Sequence, residues 1–331
     1  MPLRVCSLTP QEIFGSIEKE MTQVETELEN LSCSEISLIR DIGQYIRNGG
    51  GKRVRPAILL LAAKMCGYEG AAGARLGAVI EMLHSATLVH DDIIDNSFTR
   101  RNQASINARW GNEISVLIGD WLYMTSFRVA LAERQFKIMD ILIEATRKMV
   151  EGELLQLELK RSLEITEEQH LDISMRKTAF LFSAAAQIGG ILGGIDAERE
   201  ESLRLYGMNI GLAFQLVDDV LDLTSDVSTL GKPVQSDLRE GKLTLPIIRL
   251  IENGGPGHRE MVKNAIETRN MDAATRETIA RLVSECGAAD YVMEKARDFA
   301  GKAQNCVKDF PAGDARNALF AITNHIVERN S

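Results

Sequence analysis

An all-α fold is what this sequence predicts, on three observations. Apolar residues recur at every third or fourth position through most of the chain, the period of a helix face. The segments that carry this period are long and are separated by short Gly, Pro or Asn punctuation. Alternating, strand-like patterns are nearly absent. From about residue 71 to 96, Leu76, Ile80, Leu83, Thr87 and Asp91 form one stripe, and the acidic cluster Asp91-Asp92-Ile93-Ile94-Asp95 ends that helix. After the Trp110-Gly111 break, a second helix runs over about 112–136 and a third over about 138–159, ahead of a turn-like stretch at 162–167. Asp172 starts the next, which carries Lys177 and Thr178 and ends at the Gly-rich run 189–194. About 198–223 follows, with a second cluster of the same design, Asp218-Asp219-Val220-Leu221-Asp222. The polar stretch 224–243, broken by Leu230-Gly231-Lys232-Pro233, reads as the longest loop, of a length that often serves as a lid or binding loop. Helices beyond Thr244 read as structural, with a loop at 253–257. With no linker, and no repeat beyond the recurring acidic cluster, residues 1–331 read as one domain.

Composition narrows the function. At 45% apolar, the 331 residues suffice for a substantial core. A net charge of −9 and the lack of a basic stripe exclude a nucleic-acid partner, whose phosphates demand clustered Lys and Arg. Cys6, Cys33, Cys66, Cys286 and Cys306 are odd in number and scattered, which fits a reducing cytosol rather than a disulfide framework. The first residues lack the apolar core of a signal, and no segment offers twenty uninterrupted apolar residues. The expectation is therefore a cytoplasmic protein without a transmembrane segment.

The two clusters carry the chemistry. Four residues apart on a helix share a face, so Asp91 stacks near Asp95 and Asp218 near Asp222. Like charges so placed repel unless a hard cation lies between them, which points to Mg²⁺ held with waters and substrate phosphates. A single such cluster is more often a solvated face, but both of these interrupt strongly aliphatic sequence, and buried carboxylates need pairing or metal. Gly49-Gly50-Gly51-Lys52-Arg53-Val54-Arg55-Pro56 reads as an anion cradle, against the alternative of a flexible basic loop. Arg100-Arg101, beside the first cluster, fits bidentate contact with phosphate or simple neutralisation of the aspartates. His84, two turns before Asp91, is a phosphate donor or a satisfied core histidine, and His90 reads as structural. Lys177-Thr178, Lys232 and Lys242 together supply mobile positive charge that can close over a polyphosphate.

The motifs GGKRVRP, HDDIID followed by Arg100-Arg101, Lys177-Thr178, FQLVDDVLD, LGKP and SDLREGKLTLP stand in the order and near the spacing of one family. From about residue 49 to 250 the chain resembles the trans-isoprenyl diphosphate synthases, or polyprenyl synthetases. The resemblance implies an isoprenoid synthase-type helical bundle with a central cavity, a homodimer, and three Mg²⁺ ions held between the two clusters. Asp91, Asp95 and Asp218 would be the principal ligands, with Asp92, Asp219 and Asp222 supporting them. Lys52, Arg55, His84 and Arg101 would hold isopentenyl diphosphate. Arg100, Lys177, Lys232 and Lys242 would hold the allylic diphosphate, with Thr178 and Gln215 close to the allylic cation. One departure is Asn102-Gln103-Ala104-Ser105, where many members read Gly-Lys-Pro-Thr.

Chain length is the remaining question. Thr87, His84, Leu83 and Ile80 share the Asp91 face and would line the cavity. In the family, bulky residues four and five before the cluster stop growth near farnesyl length, and here those positions are Thr87 and Ala86. Asp91 to Ile80 spans about 16 Å of helix, room for several isoprene units. The expectation is a long product, octaprenyl, of the kind that becomes a quinone side chain. A short-chain product follows instead if Met124, Phe127 or Met149 projects inward. A class I cyclase would not need the GGKRVRP and His84 constellation, and a non-catalytic prenyl-diphosphate-binding subunit would be expected to lose one cluster.

Overall fold

The computed structural model describes residues 9–224, 236–268 and 272–328, and these are predominantly helical. Along the chain run α1 (Pro10–Gly15), α2 (Glu18–Leu31), α3 (Ser37–Asn48), α4 (Val54–Met65) and α5 (Ala72–Ile94), then a hairpin of β1 (Thr99–Arg100) and β2 (Gln103–Ala104). α6 (Ile106–Trp110), α7 (Asn112–Ala132), α8 (Phe136–Glu158) and α9 (Glu167–Ser174) lead into a π-helical turn (Met175–Ala179). α10 (Phe180–Leu192), α11 (Ala197–Thr224), α12 (Ser236–Glu240), α13 (Leu245–Asn253), α14 (Pro256–Thr268), α15 (Ala273–Glu285), α16 (Ala288–Val307) and α17 (Asp314–Glu328) complete it.

Two local differences from the sequence reading have clear causes. The helix before Lys177 starts at Glu167 rather than Asp172, because Thr166 and Gln169 close a reciprocal capping box of 3.0 and 3.2 Å over its first turn. The stretch 224–243 is not loop throughout: 236–240 is helical, while 225–235, with Lys232, lies outside the described residues. The hairpin, too short for any periodic signal, pairs Thr99 with Ala104 and Arg100 with Gln103 around a two-residue turn. Such a turn requires φ > 0 at both central residues, and Arg101 and Asn102 stand at 51° and 61°. Asn tolerates that left-handed region better than most residues, which is how the departure at Asn102 is accommodated.

α5 is apolar on almost every side and is enclosed accordingly, by α2, α4 and α7. α10 packs on α4, α8 and α11, and α11 in turn on α16. The main aliphatic cluster draws on residues from Ile13 to Ile326. A second one lies between α4, α5, α8 and α10, with Leu76, Ile80, Leu83, Leu142, Met149 and Leu181 buried in it and Tyr123 and Phe127 of α7 at its edge. By length and composition α7 is also apolar enough to cross a membrane, the one such helix among the described residues, yet one side of it packs along α5. The consequence for function is that α5 and α11 both end in aspartates, so two negative helix termini and two acidic clusters come together.

Candidate active site

A cleft of about 1210 Å³ opens where those two helix ends meet. Its walls are completed by the loop ahead of α4, the hairpin, the π turn and segment 236–244. Asp91, Asp95, Asp218 and Asp219 line it, together with Lys52, Arg55, His84, Arg100, Arg101, Lys177, Thr178, Gln215 and Lys242. Residues from across the sequence are thereby gathered around one volume. Lys232 is not among the described residues.

The six clustered aspartates divide by direction. Burial pushes the Asp91 carboxyl up to about 6, with Glu153 and Asp95 adding to the rise and Lys177 and Lys242 opposing it. Asp95 accepts Lys242 Nζ at 2.5 Å, while its Oδ1 is buried without a hydrogen-bond partner. That oxygen has the Lys160 ammonium near it only at 3.8 Å, and a carboxylate oxygen so loosely engaged in an all-oxygen donor set fits a hard cation such as Mg²⁺. Asp92 and Asp222, by contrast, do not line the cleft. Asp92 is 2% exposed and is gripped by Arg100 through Nε at 2.9 Å and Nη2 at 2.7 Å. Asp222, expected to clamp a metal with Asp218, accepts the Ser236 hydroxyl at 3.0 Å and the Asp237 N–H at 3.3 Å instead. It anchors the start of α12. Asp219, 1% exposed, takes Gln215 Nε2 on one oxygen and His170 on the other, at 2.9 and 2.8 Å.

The cations are arranged around the same space. Arg100 faces Asp92, while Arg101 is lowered by burial and by the neighbouring Arg53 and Arg100, with Glu81 opposing. Arg53 pairs with Glu25 at 2.7 Å and Glu81 at 2.8 Å, so this member of the basic cradle is held by protein carboxylates. Arg55 lies 4.5 Å over the Phe182 ring, and burial lowers it to about 10. Burial first, then Arg55, Arg101, Arg100 and Arg53, drives His84 well below the usual imidazole range. His84 is thus a neutral N–H donor beside several guanidinium groups, a setting that an oxyanion would stabilise. Lys242 is raised because Glu240 and Asp95 outweigh the burial that would discharge it.

Lys177 and Thr178 sit on the π turn, where an extra residue per turn re-aims side chains, a device common at functional sites. Two glycines make room for it. A Cβ at Gly152 of α8 would lie 2.7 Å from Arg176 Cβ, and one at Gly211 of α11 would lie 2.5 Å from Ala179 Cα. Lys177 pairs with Glu153 and reaches Gln156 Oε1 at 2.5 Å, and the Thr178 hydroxyl donates to Gln215 Oε1 at 2.7 Å.

The residues expected to set chain length separate as well. Thr87 lines the cleft one turn from Asp91, and Leu83 lies deeper, wholly buried in the second aliphatic cluster. Ala86 is wholly buried in the main core, about 140° round α5 from Asp91, and does not line the cleft. Met124 points outward at 65% exposure and caps nothing within this chain, whereas Phe127 and Met149 belong to the second cluster. Sequence reasoning passed over Glu81, Glu153, Gln156, Glu240 and His170, all of which line the cleft or pair with residues that do. Glu81 and Glu153 carried the signal that marked the aspartates, a carboxylate set in aliphatic helix sequence.

Comparison with known proteins gives concordant results. Residues 36–283 match the family model described as polyprenyl synthetase. Octaprenyl diphosphate synthase of Escherichia coli (strain K12) is 41% identical over 303 residues, covering 92% of this chain and 93% of that protein. The Haemophilus influenzae enzyme of the same name is 36% identical, covering 96% and 97%. Among solved structures, a polyprenyl synthase from Caulobacter crescentus CB15, complexed with calcium and isoprenyl diphosphate, superposes with a TM-score of 0.94 at 36% identity, covering 98% of this chain and 99% of that one.

Proposed function

The chain belongs to the polyprenyl synthetase family, and on that footing we propose that it is a long-chain trans-prenyltransferase. It condenses isopentenyl diphosphate with an allylic diphosphate in successive additions, to octaprenyl length. The observation that carries this reading is the single cleft in which Asp91, Asp95 and Asp218 face Lys52, Arg55, His84, Arg101, Lys177 and Lys242, with an aliphatic cluster behind Thr87.

The chain's own groups have definable tasks in that reaction. Arg100, Lys177 and Lys242 hold the allylic diphosphate and stabilise its charge as it departs, where preorganised cations are worth most. Lys52, Arg55, Arg101 and the neutral His84 hold the second diphosphate so that its double bond faces the allylic carbon. Thr178 Oγ1 and Gln215 Oε1 offer lone pairs beside that carbon. The aliphatic cluster receives the growing chain and excludes water that would quench a cation. Asp91, Asp95 and Asp218 are the groups that would hold Mg²⁺, three ions with substrate bound. When present these supply Lewis-acid stabilisation of the leaving group.

A second copy of the chain is the proposed partner. Leu117 and Met124 on α7, and Phe136, Ile143, Val150 and Leu154 on α8, are exposed and fall largely at sevenfold spacing, one continuous stripe on each helix. Replacing Leu117 and Leu154 by Glu is expected to convert a dimer to a monomer in sedimentation velocity, because two carboxylates would be buried in an apolar contact. The scattered cysteines, of which Cys33, Cys66, Cys286 and Cys306 are free thiols, support a reducing cytosol as the compartment.

Incubation of the purified protein with farnesyl diphosphate, labelled isopentenyl diphosphate and Mg²⁺, followed by sizing of the extracted chains, tests the activity. A ladder ending at one long product is expected. Products of twenty carbons or fewer would retain the chemistry and overturn the length. Consumption of farnesyl diphosphate without elongation, or no turnover at all, would overturn the reading.

A further inference from the structure

His170 stands on α9, four residues from its end, and is 7% exposed at the wall of the cleft. Its Nε2 lies 2.8 Å from Asp219 Oδ2. An ionised carboxylate only accepts, so Nε2 carries the proton and donates. The other oxygen of Asp219 accepts Gln215 Nε2 at 2.9 Å, and Gln215 Oε1 accepts the Thr178 hydroxyl at 2.7 Å. Four side chains from α9, the π turn and α11 therefore form one hydrogen-bonded row of fixed polarity.

The polarity matters because an amide has two unlike ends. The terminal torsion of a glutamine is broad and roughly two-fold, so an unrestrained Gln215 can present either its oxygen or its NH₂. Toward a carbon that becomes cationic, the oxygen is attractive and the NH₂ repulsive. Asp219 claims the NH₂, because it has no proton of its own to give Oε1. Asp219 is itself held only if its second oxygen is held, and His170 does that from a different helix. The remaining link, Ser174 Oγ at 3.4 Å from the same Nε2, is longer and adds to this contact rather than replacing it.

We propose that His170 is a positioning residue which, through Asp219, keeps the Gln215 amide oxygen turned toward the allylic carbon. The inference rests on the function proposed above and deepens it. Its effect belongs to ionisation of the allylic substrate, not to the binding of either diphosphate. A buried pair that only stabilised the fold would alter melting and leave the rate of the folded enzyme unchanged.

The test is the single-turnover rate of the first condensation, by rapid quench with labelled farnesyl diphosphate, alongside steady-state KM values and Mn²⁺ binding in the presence of inorganic pyrophosphate. His170→Phe removes the donor and is expected to slow the first condensation about 10- to 100-fold, the range for losing a group that orients a site residue from behind. KM for isopentenyl diphosphate and Mn²⁺ affinity should stay unchanged, because the lost contact acts only as the allylic carbon becomes cationic. His170→Gln, whose Nε2 restores an N–H at nearly the same reach, should recover most of the rate. Full-rate His170→Phe, failure of His170→Gln to recover, or a loss of Mn²⁺ affinity matching the loss in rate would each overturn the proposal. If His170→Phe does not fold, Asp219→Asn serves, because an amide there can donate to Gln215 Oε1 and reverse it, and a full-rate Asp219→Asn overturns the proposal. A wild-type protein without turnover would overturn the proposed function and this inference together, whereas wild-type turnover with full-rate variants overturns this inference alone.

Discussion

Asp91→Asn is expected to lower kcat by at least about a thousandfold while making the metal-free protein more stable at neutral pH, because both effects come from one buried charge. Asp91 sits at the negative end of α5, beside Asp95 and Glu153, and burial pushes its carboxyl up to about 6. A carboxyl raised in the folded state favours folding while it is protonated. That contribution is fully present below the ordinary Asp value of 3.8 and is lost as pH rises through about 6. At pH 7 to 8 the ionised group costs the fold up to about 3 kcal/mol, at 1.36 kcal/mol per unit. An isosteric amide removes that cost and, with it, the negative charge a divalent ion requires. Thermal melting of the two proteins without metal, at pH 5 and at pH 8, checks the sign. The variant should gain about twice as much stability at pH 8 as at pH 5, where only about half of the cost has developed, and added Mg²⁺ with pyrophosphate should stabilise the wild type alone. Equal melting at both pH values would mean that Asp91 is not under the repulsion its surroundings indicate. The same sign predicts that metal affinity of the wild type falls below about pH 6, as protons compete for Asp91.

Thr87→Phe should shorten the product from about eight isoprene units to four or fewer, without loss of the first condensation. Thr87 is the only one of the three positions expected to set length that faces the cleft, and its hydroxyl is already turned back to the His84 carbonyl at 2.7 Å. A ring there would stand between Asp91 and the aliphatic cluster behind it. Ala86→Phe, which the sequence suggests equally, is a poorer probe. It would overpack the main core at about 1–3 kcal/mol and report on folding as much as on length. Leu83→Ala supplies the opposite arm, since truncation in the second cluster should lengthen the product. Sizing the chains from all three variants decides the assignment, and an unchanged ladder from both Thr87→Phe and Leu83→Ala would sink it.

These two positions also show how far the sequence could be read. The helical class was legible because long amphipathic or all-apolar segments have one period, and the acidic clusters stood out because charge inside aliphatic sequence has few explanations. Spacing alone gives which aspartates share a face, yet not which face meets the cleft. Asp222 is four residues from Asp218, but its oxygens are engaged by Ser236 and Asp237, a contact set by how 236–243 returns across the site. His170 was invisible for the same reason, since its meaning depends on a carboxylate 49 residues away. The hairpin that carries Arg100 and Arg101 is two residues per strand, below the length at which alternation can register.

One property of the cleft bears on how it is loaded. Lys242 is escorted by Asp95 and Glu240, Lys177 by Glu153, and Arg100 by Asp92. The resting protein thus supplies its own counter-ions, and on the proposed function binding would be an exchange in which phosphate oxygens take over these cations while divalent ions occupy Asp91, Asp95 and Asp218. Such an exchange transfers little net charge between solution and protein, so added salt screens both sides alike. The joint affinity for metal and diphosphate should therefore vary far less with ionic strength than the affinity for either alone, the behaviour of an ion exchanger rather than of an electrostatic trap.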